Sequence, residues 1–210
     1  KYEKFVFITG ITKFPQISLF SVLNNLRNIS FEPEYAAICG ITQEEMLRDF
    51  KPEISKLAAY EDWTYDEAVA QLSAYYDGNH FSRRNMVDVS NPFSLSNALA
   101  DSDLKNNWAS SGATTLLPKF VDDMELRRGQ FDPCPILRQI IETSDVTGGG
   151  AELYLYQSGY LTIKDYQMGV YILGFPTQAV RQALYETVLP ALPIRSNSNI
   201  QSVQSGLLLA

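Results

Sequence analysis

Apolar residues recur along this chain with several periods, and each period predicts an element. Phe5-Val6-Phe7-Ile8 is a continuous apolar run, the pattern of a core strand buried on both faces and in need of neighbours. Pro15 to Leu26, with Ile17, Leu19, Phe20 and Leu23, reads as a short helix or irregular turn. Thr42-Gln43-Glu44-Glu45 is a capping box, in which the hydroxyl accepts a first-turn amide and Glu45 reaches back, so a helix is expected over Gln43 to Asp49. Pro52 stands where a first turn tolerates it, ahead of Ile54, Leu57 and Ala58 at helical spacing. Thr64-Tyr65-Asp66-Glu67 repeats the box and opens a helix with Ala68, Val69, Leu72 and Tyr75 on one face, ending at Gly78.

His80 to Val89 reads as a polar, extended connection, and Asn91-Pro92 starts a further helix to Ala100 that offers Phe93, Leu95 and Leu99 for burial. Trp108 to Pro118 shows no clear period, and the charged stretch from Phe120 to Cys134 reads as an exposed connector and internal boundary. Pro135-Ile136-Leu137 reads as the opening of a short helix, broken at Thr147-Gly148-Gly149-Gly150. A second helix follows over Ala151 to Gln157, with Gly159 as its C-cap. Tyr160–Ile163 and Val170–Leu173 are β-branched and aromatic runs, expected as an antiparallel hairpin with a long turn over Lys164 to Gly169. Val180, Leu184 and Val188 recur four apart and predict a last helix. Helix, helix, hairpin, helix is the order of a winged-helix unit, and the expected class is mainly α with a small β component (α+β). The tail from Arg195 to Ala210 is rich in Ser, Asn and Gln.

Composition narrows the partners. With 45% hydrophobic, 20% charged and 12% aromatic residues over 210 positions, the chain can build its own core. No apolar run approaches the roughly 18 residues of a membrane span, so a soluble protein is expected. Seventeen Lys and Arg against 24 Asp and Glu give a net charge of -7, which opposes binding to a phosphate backbone. Cys39 and Cys134 are too few and too far apart for a disulfide framework or a metal knuckle, and are expected reduced and packed, as in a cytoplasmic protein. The chain opens on Lys1 and enters an apolar strand at once, as if its beginning lay further upstream.

Few residues carry the pattern of a reaction centre. No G-x-x-x-x-G-K-[ST] occurs, so no backbone cradle with its lysine is set up for a triphosphate. Gly148-Gly149-Gly150 lacks a following lysine and reads as a helix–helix joint. Asp122-Asp123 follow only two apolar residues and read as solvated charges rather than a magnesium-binding strand end. Asp88 with Asp103-Leu104-Lys105 fits the loose D…(D/E)-x-K pattern of metal-dependent nucleases, but flanks a helix end instead of lying on core strands. His80 is the one histidine, which rules out a multi-histidine site, and it reads as a structural loop residue. Arg83 and Arg84 follow it beside an aromatic turn and are weak candidates for a phosphate contact.

Several blocks, in order, resemble one family: KFVFITGITKFPQISLFSVLNNLRNISFEPEYAAICGITQEE, YYDGNHF, NPFSLSNAL and LYQSGYLTIKDYQMGVYILGFPTQAVRQAL. From Lys4 to about Leu189 the chain is similar to the AAA-ATPase-like family of bacterial, Bacteroidetes-type proteins. Members usually continue into a PD-(D/E)XK nuclease-like domain. The resemblance implies that residues 1–40 are the remnant of an ATPase-like core, 41–130 a helical lid-like region, 131–195 the winged-helix-like unit and 196–210 a linker. It also implies that the P-loop and the acidic magnesium-binding strand precede Phe5 in the parent, which would use ATP and magnesium, while this portion holds no cofactor. Thr9, at the end of the Phe5–Ile8 run, matches the place of a polar nucleotide sensor, with Thr12 and Lys13 as weaker candidates.

Two functions are expected on these grounds. One is a non-catalytic C-terminal portion of a P-loop NTPase, coupling nucleotide state to the nuclease-like domain. Its partners would be the upstream ATPase core, that domain, and possible second copies covering the Phe5–Thr9 strand. The other is a recognition module built on the winged-helix-like unit. Ala151 to Leu189 carries only Lys164 and Arg181 against Glu152, Asp165 and Glu186, which favours a protein over nucleic acid.

Overall fold

Both capping boxes form and start the helices they predict. In a computed structural model, which describes residues 5, 7–9, 27–105, 131–143 and 150–188, the Glu45 amide donates to Thr42 Oγ1 at 3.2 Å and the Thr42 amide to Glu45 Oε2 at 2.9 Å. Helix α1 then runs over Gln43–Asp49. Thr64 and Glu67 repeat the exchange at 3.2 and 2.7 Å and open α3, Tyr65–Tyr76. Between them lies α2, Lys51–Tyr60, with Pro52 in its first turn. Asn91 Oδ1 accepts the Ser94 amide at 3.0 Å and starts α4, Pro92–Asp101. Two short strands, β1 (Ile41–Thr42) and β2 (Val89–Ser90), pair antiparallel across the base of these helices. Gly40 lies so close to Val89 that a Cβ there would sit 2.4 Å from the valine's own Cβ. Met46, Ile54, Leu57, Leu72, Leu95 and Leu99 meet in one apolar core, each worth ~1.5–3 kcal/mol of burial.

A second core is built from β3 (Cys134–Leu137), α5 (Arg138–Thr143), α6 (Gly150–Gln157), β4 (Thr162–Gln167), β5 (Val170–Gly174) and α7 (Gln178–Val188). The three strands form an antiparallel sheet in the order β3-β5-β4. Ile141, Leu153, Tyr154, Tyr160, Tyr171 and Leu173 fill it. With the first group of helices, this makes an α+β fold. Among the described residues, no helix is long and apolar enough to cross a membrane.

Four expectations need correction. Pro135–Leu137 is strand, not helix: Cys134 and Ile136 point inward, Pro135 and Leu137 outward, and β3 is an edge strand, where proline is tolerated. The hairpin turn is short, because β4 continues through a bulge at Lys164 and only Met168 and Gly169 lie between the strands. Both take positive φ, at 48° and 87°, the geometry of a two-residue turn that matches strand twist. Among the described residues, Phe5, Phe7 and Ile8 pair with no strand, and they are 81%, 50% and 52% exposed. A strand buried on both faces needs partners on both edges, and no described residue supplies one. Cys134 is buried as expected, its thiol pushed up to about 11 by burial and by Glu152, but Cys39 is exposed; both are free thiols.

Candidate functional site

The end of α3 passes beneath the connection from β5 to α7, and only glycine fits there. Gly78 has φ 117°, and a Cβ on it would sit 2.5 Å from the carbonyl oxygen of Pro176. Its own carbonyl accepts from Lys164 Nζ at 3.3 Å. The bulge in β4 falls at Lys164 and turns it toward this carbonyl. The helix therefore stops at Tyr76, before the expected Gly78, and Asp77 turns the chain into extended backbone.

Two residues on, His80 is bonded to β4 through its backbone and Nδ1, and to Asp88 through Nε2. Its amide donates to Thr162 Oγ1 at 2.7 Å, and the same hydroxyl donates back to the His80 carbonyl at 2.9 Å. Nδ1 lies 2.9 Å from the Ile163 carbonyl and Nε2 lies 2.6 Å from Asp88 Oδ1. The imidazole is 12% exposed, whereas the Asp88 side chain is 60% exposed. Asn79 and Val89 exchange backbone hydrogen bonds at 3.3 and 3.2 Å, so the same loop is also fixed to β2. One short segment thus ties the helical core to the sheet of the second core.

Beyond His80 the loop enters an aromatic and ionic cluster. Ser82 Oγ donates to the Phe31 carbonyl and Asn85 Nδ2 to the Pro33 carbonyl, both at 3.0 Å. Phe31 stacks on Tyr156 with centroids 6.3 Å apart and planes at 12°. The Arg83 guanidinium stands 4.5 Å above the Tyr166 ring, a cation–π contact, and Tyr166 meets Tyr171 edge-on at 4.9 Å. Tyr171 donates its hydroxyl proton to Glu142 Oε1 at 2.7 Å, while Arg138 Nε donates to Glu142 Oε2 at 2.8 Å. Partial burial works against the Glu142 charge, but these two donors prevail and hold its carboxyl below the usual range.

Charge at the joint is spoken for within the protein. Asp77 accepts the Gly78 amide at 2.9 Å, and burial raises its carboxyl above the ordinary value. Asp132 pairs with Arg181. Lys164, exposed over much of its length, ends where burial lowers its ammonium against the pull of Asp132, Asp88 and Asp77. These carboxylates are occupied by amides, the imidazole and arginine. Among the described residues, no three His, Cys, Asp or Glu side chains are gathered as a metal ion would need. The arrangement is a joint that fixes position.

The sequence-predicted residues fall in different places. Thr9 is exposed and pairs with no strand among the described residues; Thr12, Lys13, Asp122, Asp123, Gly148 and Gly149 lie outside them. Arg83 and Arg84 part company, Arg83 turning to Tyr166 and Arg84 remaining exposed. Asp88 joins His80 rather than Asp103 and Lys105, which pair with each other at 3.1 Å on the surface. Thr162, Tyr166 and Glu142 were not legible as site residues, because Thr162 meets His80, Tyr166 meets Arg83 and Glu142 meets Tyr171 from far along the chain; Arg138 joins them through Glu142, four residues on, as an ordinary helix pair. The lone histidine, two residues after Gly78, was the one available signal.

No family model and no solved structure matches the chain. It is 31% identical over 198 residues to a protein of Azotobacter chroococcum mcd 1 described as "Uncharacterized protein in vnfD 5'region", an alignment covering 90% of this chain and 35% of that protein. The chain thus spans about a third of the length of that curated relative.

Proposed function

We propose that this chain is the non-catalytic, C-terminal portion of an AAA-ATPase-like P-loop protein, and that it couples nucleotide state in the parent to an attached nuclease-like domain. The observation that carries this reading is the joint at Gly78 and His80. It bonds a helical, lid-like region to a β3–α5–α6–β4–β5 unit in winged-helix order. A displacement of the helices is passed to the sheet through fixed hydrogen bonds rather than lost in a loose linker. ATP and magnesium belong to the upstream core in this reading, Thr9 reports on the nucleotide there, and the exposed Phe5, Phe7 and Ile8 are covered by that core or by a second copy. Free cysteines suit a reducing cytoplasm.

A second reading, a recognition module for a protein partner, has its own support. In a winged helix that reads DNA, the second helix of the pair enters the major groove. Here that helix is α6, whose Leu153, Tyr154 and Leu155 are buried and whose exposed charge is Glu152. A groove-reading role is therefore disfavoured, and protein contact is the form this reading takes.

The test is nucleotide turnover and binding by the purified 210-residue chain beside a longer form carrying the upstream core. The chain alone is expected to hydrolyse no ATP and to show no magnesium-dependent ATP binding, while the longer form binds. Robust hydrolysis by the 210 residues, abolished by a substitution within them, overturns the proposal. A salt-sensitive shift of duplex DNA by this chain, lost on Lys164→Glu, would instead establish nucleic acid as the partner.

A further inference from the structure

The β3-β5-β4 sheet buries one face and leaves much of the other open to water. Arg138 donates its amide to the Gly169 carbonyl at 2.9 Å. Along the same ladder Pro135 therefore faces Ile172, and Leu137 faces Val170, in the non-hydrogen-bonded positions, where cross-strand side chains lie closest. Together they form an apolar block on the outer face: Pro135 and Leu137 are exposed, Leu137 by 57%, and Val170 and Ile172 are half-buried. Met168 extends the block at the hairpin tip, fully exposed. An antiparallel sheet that meets water on one face carries polar side chains there, yet here only β4 does, with Asp165 beside Ile172 and Gln167 beside Val170. At its far end the block stops at Gly174, where Lys164 Cγ and Asp132 Oδ1 would lie 3.0 and 2.6 Å from a Cβ.

We infer that this face is a docking surface for a basic amphipathic segment of a protein partner, with the segment's aliphatic side chains on the Pro135, Leu137, Val170 and Ile172 block and its lysine or arginine on Asp165. The inference rests on the reading of the chain as a recognition module and gives that module its surface. Charge selects the occupant. The Gln167 side-chain amide and the Tyr166 backbone amide donate to Asp165 at 2.6 and 2.7 Å and hold its carboxyl below the usual range. Among the described residues no cation pairs with Asp165, nor with Glu152, which stands close enough to Cys134 of β3 to raise its thiol. Arg138, next to Leu137, is turned to Glu142, and Lys164 to the Gly78 carbonyl. A second copy would set Asp165 against a like face, on a chain whose net charge is already -7. Nor does the partner add a strand beyond β3, because Pro135 turns toward that free edge a nitrogen that carries no proton.

The probes are two short synthetic peptides, one alternating leucine with lysine and the other leucine with glutamate, added to the 15N-labelled 210-residue chain. The leucine–lysine peptide is expected to shift the amides of Leu137, Asp165, Gln167, Val170 and Ile172, and the leucine–glutamate peptide to leave them in place. Leu137→Lys, at an exposed position, should weaken binding by about tenfold, the effect of losing one central apolar contact. Should that variant unfold, Val170→Thr exchanges one β-branched residue for another and should weaken binding in the same direction. Asp165→Asn should cost about threefold in affinity, the size of one exposed charge pair, and flatten the salt dependence. Equal binding of both peptides, no shift with either, or binding undiminished in Leu137→Lys overturns the inference, as does a dimer of the chain that this substitution abolishes. Shifts confined to another surface of residues 131–188 overturn it too, but leave the recognition reading in place; the protein-partner reading itself falls to the duplex-DNA shift lost on Lys164→Glu.

Discussion

At the scale of single residues, the joint sets two carboxylates against each other in sign. Glu142 is held below its ordinary range despite partial burial, because Tyr171 and Arg138 bond its charged form. An acid whose pKa is lowered by folding stabilises the fold above its unfolded value, and that contribution is lost as pH falls through the folded one. Glu142→Gln should therefore flatten the acid limb of the stability curve; an unchanged acid limb would show that the Tyr171–Glu142–Arg138 network does not carry it. Asp77 is shifted the other way, by burial. Its charge is a cost to the folded state at neutral pH, relieved as the pH falls through its raised value. Asp77→Asn keeps an oxygen for the Gly78 amide and removes that cost, so the melting temperature at neutral pH is expected to rise. Gly78→Ala is the opposite case, a methyl group forced into positive φ and onto the Pro176 carbonyl 2.5 Å away. Strain of this kind costs about 1–3 kcal/mol before the clash is counted, and urea unfolding should register at least that loss.

The elements differ in how plainly their residues announced them, and the difference is one of range. Thr42 with Glu45 and Thr64 with Glu67 act within one turn, so the capping boxes located α1 and α3 from sequence alone. Strand β3 has only four residues of alternation, and its reason for being a strand is β5, which pairs Cys134 with Leu173 far along the chain. A proline and two apolar residues read equally well as a helix start until that partner is in view. The hairpin was legible as a hairpin but not its turn, because Met168 occupies a left-handed position where Asn or Gly is the usual signal. Met168 is fully exposed and contributes no packing there. Met168→Asn should accordingly stabilise the chain by about 0.5–1 kcal/mol, by easing the left-handed backbone. A variant that melts lower would show that the methionine side chain has a contact worth more than the strain.

Across the whole molecule, two apolar cores that are separate in sequence meet where α3 and α7 pack and where the 78–82 loop crosses β4. Neither core's own pattern betrayed this meeting: His80 stood out as a lone histidine, but Thr162 and Ile163 lie more than 80 residues away and look like ordinary strand residues. If the loop couples the cores, breaking it should separate their unfolding. Thr162 is 3% exposed and its hydroxyl serves the amide and the carbonyl of His80 together. Thr162→Val keeps the shape and leaves both backbone groups without that partner, at a cost of about 1–3 kcal/mol for each buried group that water does not reach. The β-branched replacement suits a strand, so β4 itself should persist. Native-state hydrogen exchange of the parent is expected to show the slowest amides of α3 and of β5 opening with one common free energy. In Thr162→Val the two sets should diverge, and adding Leu72→Ala, which opens a cavity worth ~2–5 kcal/mol in the helical core, should then lower protection in α3 and leave β5 unmoved. If Leu72→Ala lowers both sets equally even with Thr162 replaced, the packing of α3 on α7 couples the cores by itself, and the polar joint is not what transmits between them.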